Sequence, residues 1–189
     1  MRVLHEEREF TGRASVVALG MFDGVHIGHQ KLIRTAVEMA REMIAECVLC
    51  TFDRHPLSLL CPERAPEQLL PLEENLKKFE QLGADAALVK PFTREFADML
   101  PEDYLELLAD GLRAKAVVVG ENYTFGREGR GNAEMVKKLA TKYGYRAKIV
   151  EPVMDGERMA SSTYIRELRR AGETEHVTRL LKIGEEGDQ

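Results

Sequence analysis

The chain has 189 residues, 44% hydrophobic and 31% charged, a balance that suits one globular core and excludes disordered, collagenous and disulfide-dense classes. Its net charge of −5 excludes broad electrostatic attraction to nucleic acid, so an anionic ligand needs a local cluster of positive groups and backbone amides. No apolar run approaches the ~20 residues of a membrane span. The charged start through Arg2, Glu6, Glu7 and Arg8 lacks a signal peptide's apolar stretch, so a cytoplasmic location away from membranes is expected.

In chain order, Ala14-Ser15-Val16-Val17-Ala18-Leu19 is a short apolar run stopped by Gly20, which predicts a buried strand. Leu32, Ile33, Ala36, Val37, Ala40, Met43 and Ile44 then recur at helical spacing, with Lys31, Arg34, Glu38, Arg41 and Glu42 on the other face. A second strand is predicted over Cys47 to Phe52. Its Cys47-Val48-Leu49-Cys50 has the C-x-x-C spelling, but residues three apart in a strand face opposite ways, so no metal or disulfide is expected there. Residues 53–72 are rich in proline and lack a period, which predicts a long loop or flap. An amphipathic helix over 73–82 ends at Gly83, a suitable C-cap, and Ala86 to Val89 is a third strand. Pro101 opens a helix to about Leu112, because the first helical turn has N–H groups to spare. Ala116 to Val119 is a fourth strand ending at Gly120. Residues 133–143 are helical, 147–150 form a fifth strand, and two helices near 162–171 and 174–182 are separated by Gly172.

Strands alternating with helices predict an α/β fold, a five-stranded and mostly parallel sheet with helices on both faces. One domain is expected over residues 1–184, followed by a polar tail over 185–189. In such sheets ligands bind beyond the C-terminal strand ends, where strand order reverses. The loops after Leu19, Phe52 and Val119 are therefore the candidate site.

The first of these loops reads Gly20-Met21-Phe22-Asp23-Gly24-Val25-His26-Ile27-Gly28-His29. Its glycines allow tight turns and close approach of backbone to a ligand, and it runs into a helix whose first amides favour anions. It also places two imidazoles three residues apart at that positive end, which suits phosphate chemistry. The spacing is neither a P-loop nor a dinucleotide fingerprint. Ser161-Ser162-Thr163 before a later helix offers hydroxyls and free N–H groups that cap the helix or hold a phosphate. Arg166 follows and can grip two phosphate oxygens. His55 lies at a strand end before Pro56 and faces the same edge.

These segments are similar to a known family. Gly20 to His29 resembles the H-x-G-H signature of the nucleotidyltransferase superfamily, and its longer form through Gln30 resembles the adenylyltransferase module of bacterial bifunctional riboflavin kinase/FAD synthetases. Thr51-Phe52-Asp53-Arg54-His55-Pro56 is similar to that family's T-F-x-x-H-P turn. Val118 to Gly126 is similar to its V-V-G-x-x-F-x-F-G segment, with Tyr123 at the first aromatic position, and Ser161 to Arg166 resembles S-S-T-x-x-R. The likeness spans about residues 14–182 and implies a Rossmann-like nucleotidyltransferase fold that transfers AMP from ATP to FMN, yielding FAD and pyrophosphate, with Mg²⁺ accompanying the ATP.

By the same resemblance His26, His29, Asn122, Ser162, Thr163 and Arg166 are expected to be catalytic. Gly20, Met21, Phe22, Asp23, Gly24, Gly28, Val119 and Gly120 are expected around ATP, and His55, Pro56, Arg64, Asn122 and Phe125 around FMN. No metal ligand is identified. The family continues with a riboflavin kinase domain where this chain reaches Gly184, so kinase activity is not expected and FMN would come from a separate riboflavin kinase. The alternatives are the same chemistry on another phosphate acceptor, or a silent flavin- or nucleotide-binding partner subunit.

Overall fold

A computed structural model describes residues 1–184. The elements run β1 (Arg2–Leu4), β2 (Ser15–Leu19), α1 (Ile27–Glu42), β3 (Glu46–Phe52), α2 (Leu57–Leu60), α3 (Leu72–Gln81), β4 (Ala86–Lys90), α4 (Arg94–Ala97), α5 (Pro101–Gly111) and β5 (Ala114–Gly120). They continue with β6 (Thr124–Phe125), β7 (Gly131–Asn132), α6 (Ala133–Tyr143), β8 (Arg146–Val150), β9 (Met154–Asp155), β10 (Arg158–Met159), α7 (Ser162–Arg170) and α8 (Thr174–Leu181).

The main sheet has six strands in the order β1-β4-β3-β2-β5-β8, every pairing parallel. The expected count of five is corrected by β1, a three-residue edge strand in which only Leu4 is buried. From β2 the chain proceeds through β3 to β4 on one side, whereas β5 and β8 lie on the other. Strand order therefore reverses between β2 and β5, and the crevice at their C-terminal ends begins at Gly20 and Gly120.

Every residue of β2 is buried, which explains its uninterrupted apolar spelling. Alternate side chains serve two cores. Val16 and Ala18 pack with Ile33, Ala36 and Val37 of α1 and Phe79 of α3, while Val17 and Leu19 pack with Leu105 and Leu108 of α5 and Val136 of α6. Full burial of one such Leu or Ile contributes about 1.5–3 kcal/mol. Cys47 joins the first core and Cys50 the second, so the two thiols face opposite sides as expected. Burial pushes the Cys47 thiol up to about 12.

The flap after β3 holds more order than its sequence suggested: α2 is a single helical turn, and Pro62–Arg64 form a 3-10 turn. The expected glycine end of α3 holds, with Gly83 at φ +91, and Gly144 at φ +74 closes α6 in the same way. At the far end, α7 and α8 pack through Ile165, Val177 and Leu180 around Leu69. The β9–β10 hairpin is tied to them by Asp155, which accepts from Tyr164 Oη at 3.1 Å and Arg179 Nη2 at 2.8 Å and meets His176 Nε2 at 2.5 Å. The tail expected over 185–189 lies outside the described residues.

Candidate active site

The loop from β2 to α1 is built around three left-handed residues: Phe22 at φ +50, Gly24 at +81 and Val25 at +48. Such a conformation costs a β-branched residue on the order of 1–3 kcal/mol and persists only where its surroundings over-determine it. Here they do. Phe22 and Val25 are completely buried, Gly24 N donates to Asn75 Oδ1 at 3.0 Å, and Gln30 Nε2 donates to the Val25 carbonyl at 2.9 Å. Thr51 Oγ1 donates to the Met21 carbonyl and Gly20 N to the Cys50 carbonyl, so the loop is also pinned to β3. Side chains at Gly20 and Gly28 would crowd their neighbours. A Cβ on Gly20 would stand 2.9 Å from the Phe22 ring, and one on Gly28 would stand 3.2 Å from the His26 ring.

This strained loop delivers His26 and His29. His26 is the N-cap of α1, its Nδ1 accepting from His29 N at 3.4 Å. An acceptor at Nδ1 leaves the proton of neutral His26 on Nε2. The two rings stack with centroids 3.7 Å apart and planes 22° apart, and the edge of Phe22 closes the stack at 5.4 Å from His29. Burial holds His26 down to about 4. Burial, and then the neighbouring His26, hold His29 well below the ordinary imidazole value. Both are therefore neutral near pH 7. Among the described residues two buried side-chain polar atoms have no partner, and one is His29 Nδ1. An unpaired buried polar atom is the kind of cost that functional sites carry.

Asp23 joins this loop to the rest of the site. Its carboxylate accepts from Leu69 N at 2.9 Å, Leu70 N at 3.3 Å and Arg166 Nη2 at 2.6 Å, and its carbonyl accepts from Ser162 Oγ at 3.1 Å. Asp23 and Arg166 are both nearly fully buried, so this is an inner ion pair. The sequence placed Asp23 around ATP. In the structure its side chain is engaged by flap amides and by the arginine expected to hold phosphates. Ser161 caps α7, accepting from Tyr164 N, while Thr163 in the first turn is exposed.

His55 lines a small cavity with Met21, Asp23, Asp53, Asn75 and Arg166. Its Nδ1 accepts from Leu57 N at 3.2 Å. Burial lowers its pKa, the Arg166 cation adds to that, and Asp23 opposes it. Pro56 opens α2 beside it, and Arg64 is exposed on the 3-10 turn of the flap. Val119 and Gly120 end β5 at the crevice. Asn122 is exposed just beyond, its Nδ2 3.3 Å from Met159 Sδ. Phe125 instead faces inward, 6% exposed, with Tyr104 and Tyr123 against it at 5.8 and 5.7 Å.

Sequence reasoning missed Asn75, although a polar residue one turn before Phe79 on the apolar face of α3 was a usable signal. It also missed Asp53, whose Oδ1 accepts from Phe92 N at 3.0 Å and so fixes the segment after β4. Among the described residues no group of three or more His, Cys, Asp or Glu could hold a metal.

Comparison with known proteins identifies the family. The family model described as FAD synthetase matches residues 9–164. A bifunctional riboflavin kinase/FMN adenylyltransferase of Bacillus subtilis is 36% identical over 88% of this chain and 53% of its own length. Its counterpart in Listeria monocytogenes is 34% identical over 92% of this chain and 55% of its own. The chain thus spans about half the length of these curated relatives. A relative from Geobacillus thermodenitrificans, 36% identical, is matched over 96% of this chain and 97% of its own length. Among solved structures, one titled macrolide-efflux protein from Streptococcus pneumoniae superposes with a TM-score of 0.82 at 29% identity, covering 95% of this chain and 60% of that one. Efflux belongs to that protein's title; among the described residues here, no helix is long and apolar enough to cross a membrane. The family match covers five of the six strands of the parallel sheet, the stacked histidines at its switch point and the start of α7, and by it the chain belongs to the FAD synthetase family.

Proposed function

We propose that the chain is an FMN adenylyltransferase. The observation that carries this reading is the meeting, at one sheet edge, of two neutral stacked histidines on the N-terminus of α1 with the N-terminus of α7 and Arg166. Two helix N-termini and a guanidinium form a local anion site on an acidic protein. The family and the named relatives supply the acceptor class.

An oxygen of the FMN phosphate attacks the α-phosphorus of ATP, a new P–O bond forms, and the bond to pyrophosphate breaks, leaving FAD. The protein's part is positioning and stabilisation of charge. His26, with its proton on Nε2, and His29 donate to oxygens of the α-phosphate as charge builds there. The α7 terminus, with Ser162 and Thr163, and the Arg166 guanidinium are assigned to the departing pyrophosphate. Gly20, Gly24 and Gly28 give the backbone its close approach, and Met21, Phe22, Asp23, Val119 and Gly120 shape that cleft. His55, Pro56, Arg64 and Asn122 border the acceptor side, and Phe125 supports it from the core. Mg²⁺ fits as an ion carried on the triphosphate and its waters, since Asp23 is committed to protein donors; it would neutralise the triphosphate.

We place this unit at residues 1–184, with a riboflavin kinase activity as the supplier of FMN, since the relatives' names pair the two activities. The unpaired cysteines suit the reducing cytoplasm. The test is chromatography of products from ATP, Mg²⁺ and either FMN or riboflavin. FAD from FMN and none from riboflavin is expected; no FAD from FMN, with ATP still bound, would overturn the acceptor assignment.

A further inference from the structure

The flap that leaves β3 at His55 returns to the body of the protein through Glu67–Leu70, and that return is fastened on two sides. On one side Asp23 accepts from the amides of Leu69 and Leu70. On the other, α7 donates to the flap's carbonyls: Arg166 Nε to Glu67 O at 2.6 Å, and Arg169 Nη2 to Leu69 O at 2.9 Å. Leu69 itself is buried in the α7–α8 core, its side chain so close to the phosphate-facing loop that a Cβ on Gly24 would lie 2.9 Å from it. Arg166 thus holds the flap with Nε while Nη2 holds Asp23.

Arg169 lies outside the S-S-T-x-x-R segment, one turn further along α7, where residues three apart share a face. Its side chain reaches the flap rather than the crevice, and the residue is exposed, so the fold does not depend on burying it. The next residue, Arg170, is also exposed, and its side chain makes no hydrogen bond among the described residues. The two arginines carry the same charge on the same turn, and one of them is bonded to the flap.

We infer that Arg169 is a positioning residue for the phosphate acceptor: by holding Leu69 O it keeps the base of the flap docked against Asp23 and Arg166. This inference rests on the adenylyltransferase reading, in which His55, Pro56 and Arg64 on the flap border the acceptor. A flap docked only part of the time lowers the apparent affinity for whatever it covers by the fraction undocked. Triphosphate contacts from α1 and α7 do not pass through Arg169, so the two substrates respond differently.

The experiment uses the whole chain in four forms: wild type, Arg169→Ala, Arg169→Lys and Arg170→Ala. Steady-state kinetics with FMN and ATP are combined with hydrogen exchange of the 67–70 amides, a readout that needs no turnover. A hydrogen bond from a charged donor sets the scale at about tenfold. Arg169→Ala is expected to raise KM for FMN and to speed exchange at Leu69 and Leu70 by factors that multiply to about tenfold, and to leave KM for ATP and kcat near wild type. Arg169→Lys, which can still donate to one carbonyl, recovers part of both effects, and Arg170→Ala changes neither. Unchanged exchange and an unchanged KM for FMN in Arg169→Ala would overturn the inference. So would a uniform fall in every constant together with thermal stability, which marks a general role in the fold. If wild type makes no FAD while exchange still quickens in Arg169→Ala alone, the failure falls on the FMN reading and the hold on the flap stands.

Discussion

Neutral, buried imidazoles at the head of α1 make stability depend on mild acid. His26 is held at about 4 by burial, against 6.5 for a free imidazole. Between those values the unfolded chain binds a proton that the folded chain refuses, so stability is complete above 6.5 and falls as pH drops toward 4. Integrating this one group gives a loss of about 1 kcal/mol at pH 5.5 and about 2 kcal/mol at pH 4.5, relative to neutral pH. His29 shifts the same way and adds to the fall. The perturbation that isolates the effect is His26→Asn, because asparagine keeps an acceptor at the N-cap, where His26 Nδ1 now receives His29 N, and removes the titration. The assay is urea denaturation of wild type and variant at pH 7.0, 5.5 and 4.5, without nucleotide. The variant is expected to lose about 2 kcal/mol less than wild type between pH 7.0 and 4.5. Equal losses in the two proteins would refute the claim that a buried neutral His26 underlies the acid sensitivity.

Further predictions follow from particular contacts. His29→Ala, which removes one preorganised donor, is expected to lower kcat about 10²–10³-fold with little change in fold, measured by FAD formation and circular dichroism. Asp23→Asn breaks the buried pair with Arg166 and is expected to cost about 3–5 kcal/mol in denaturation free energy; a loss within the range of an exposed pair, below about 1 kcal/mol, would show that the pair is not desolvated. In native protein, a thiol reagent is expected to label Cys61 on the flap and spare Cys47 and Cys50, which mass spectrometry reads directly. Rapid labelling of Cys50 would contradict its place in the sheet core.

The central strands were legible because parallel strands buried on both faces spell continuous apolar runs, as in Val16 to Leu19 and Ala116 to Val119. The cysteine pair was legible for a related reason: a strand's period of two sends Cys47 and Cys50 to opposite faces. β1 was not, since Arg2 and Val3 are exposed and a single buried Leu4 gives no periodicity. The β9–β10 hairpin was hidden too, because two residues per strand and exposed Met154 and Met159 carry no pattern. At the site, His26 and His29 stood out because the sequence brings them together. The pairing of Asp23 with Arg166, 143 positions apart, is set by the fold and leaves no trace in local spacing. Only the structure shows the Asp23 carboxylate engaged in holding the flap and the arginine.

The account turns on FMN's phosphate attacking ATP directly, and ³¹P NMR of the reaction with ¹⁸O-labelled FMN phosphate tests this most directly. The prediction is FAD and pyrophosphate in equal amounts, with every label oxygen in FAD and none in pyrophosphate. Label in pyrophosphate, or ATP cleaved to AMP with FMN left unchanged, would contradict it.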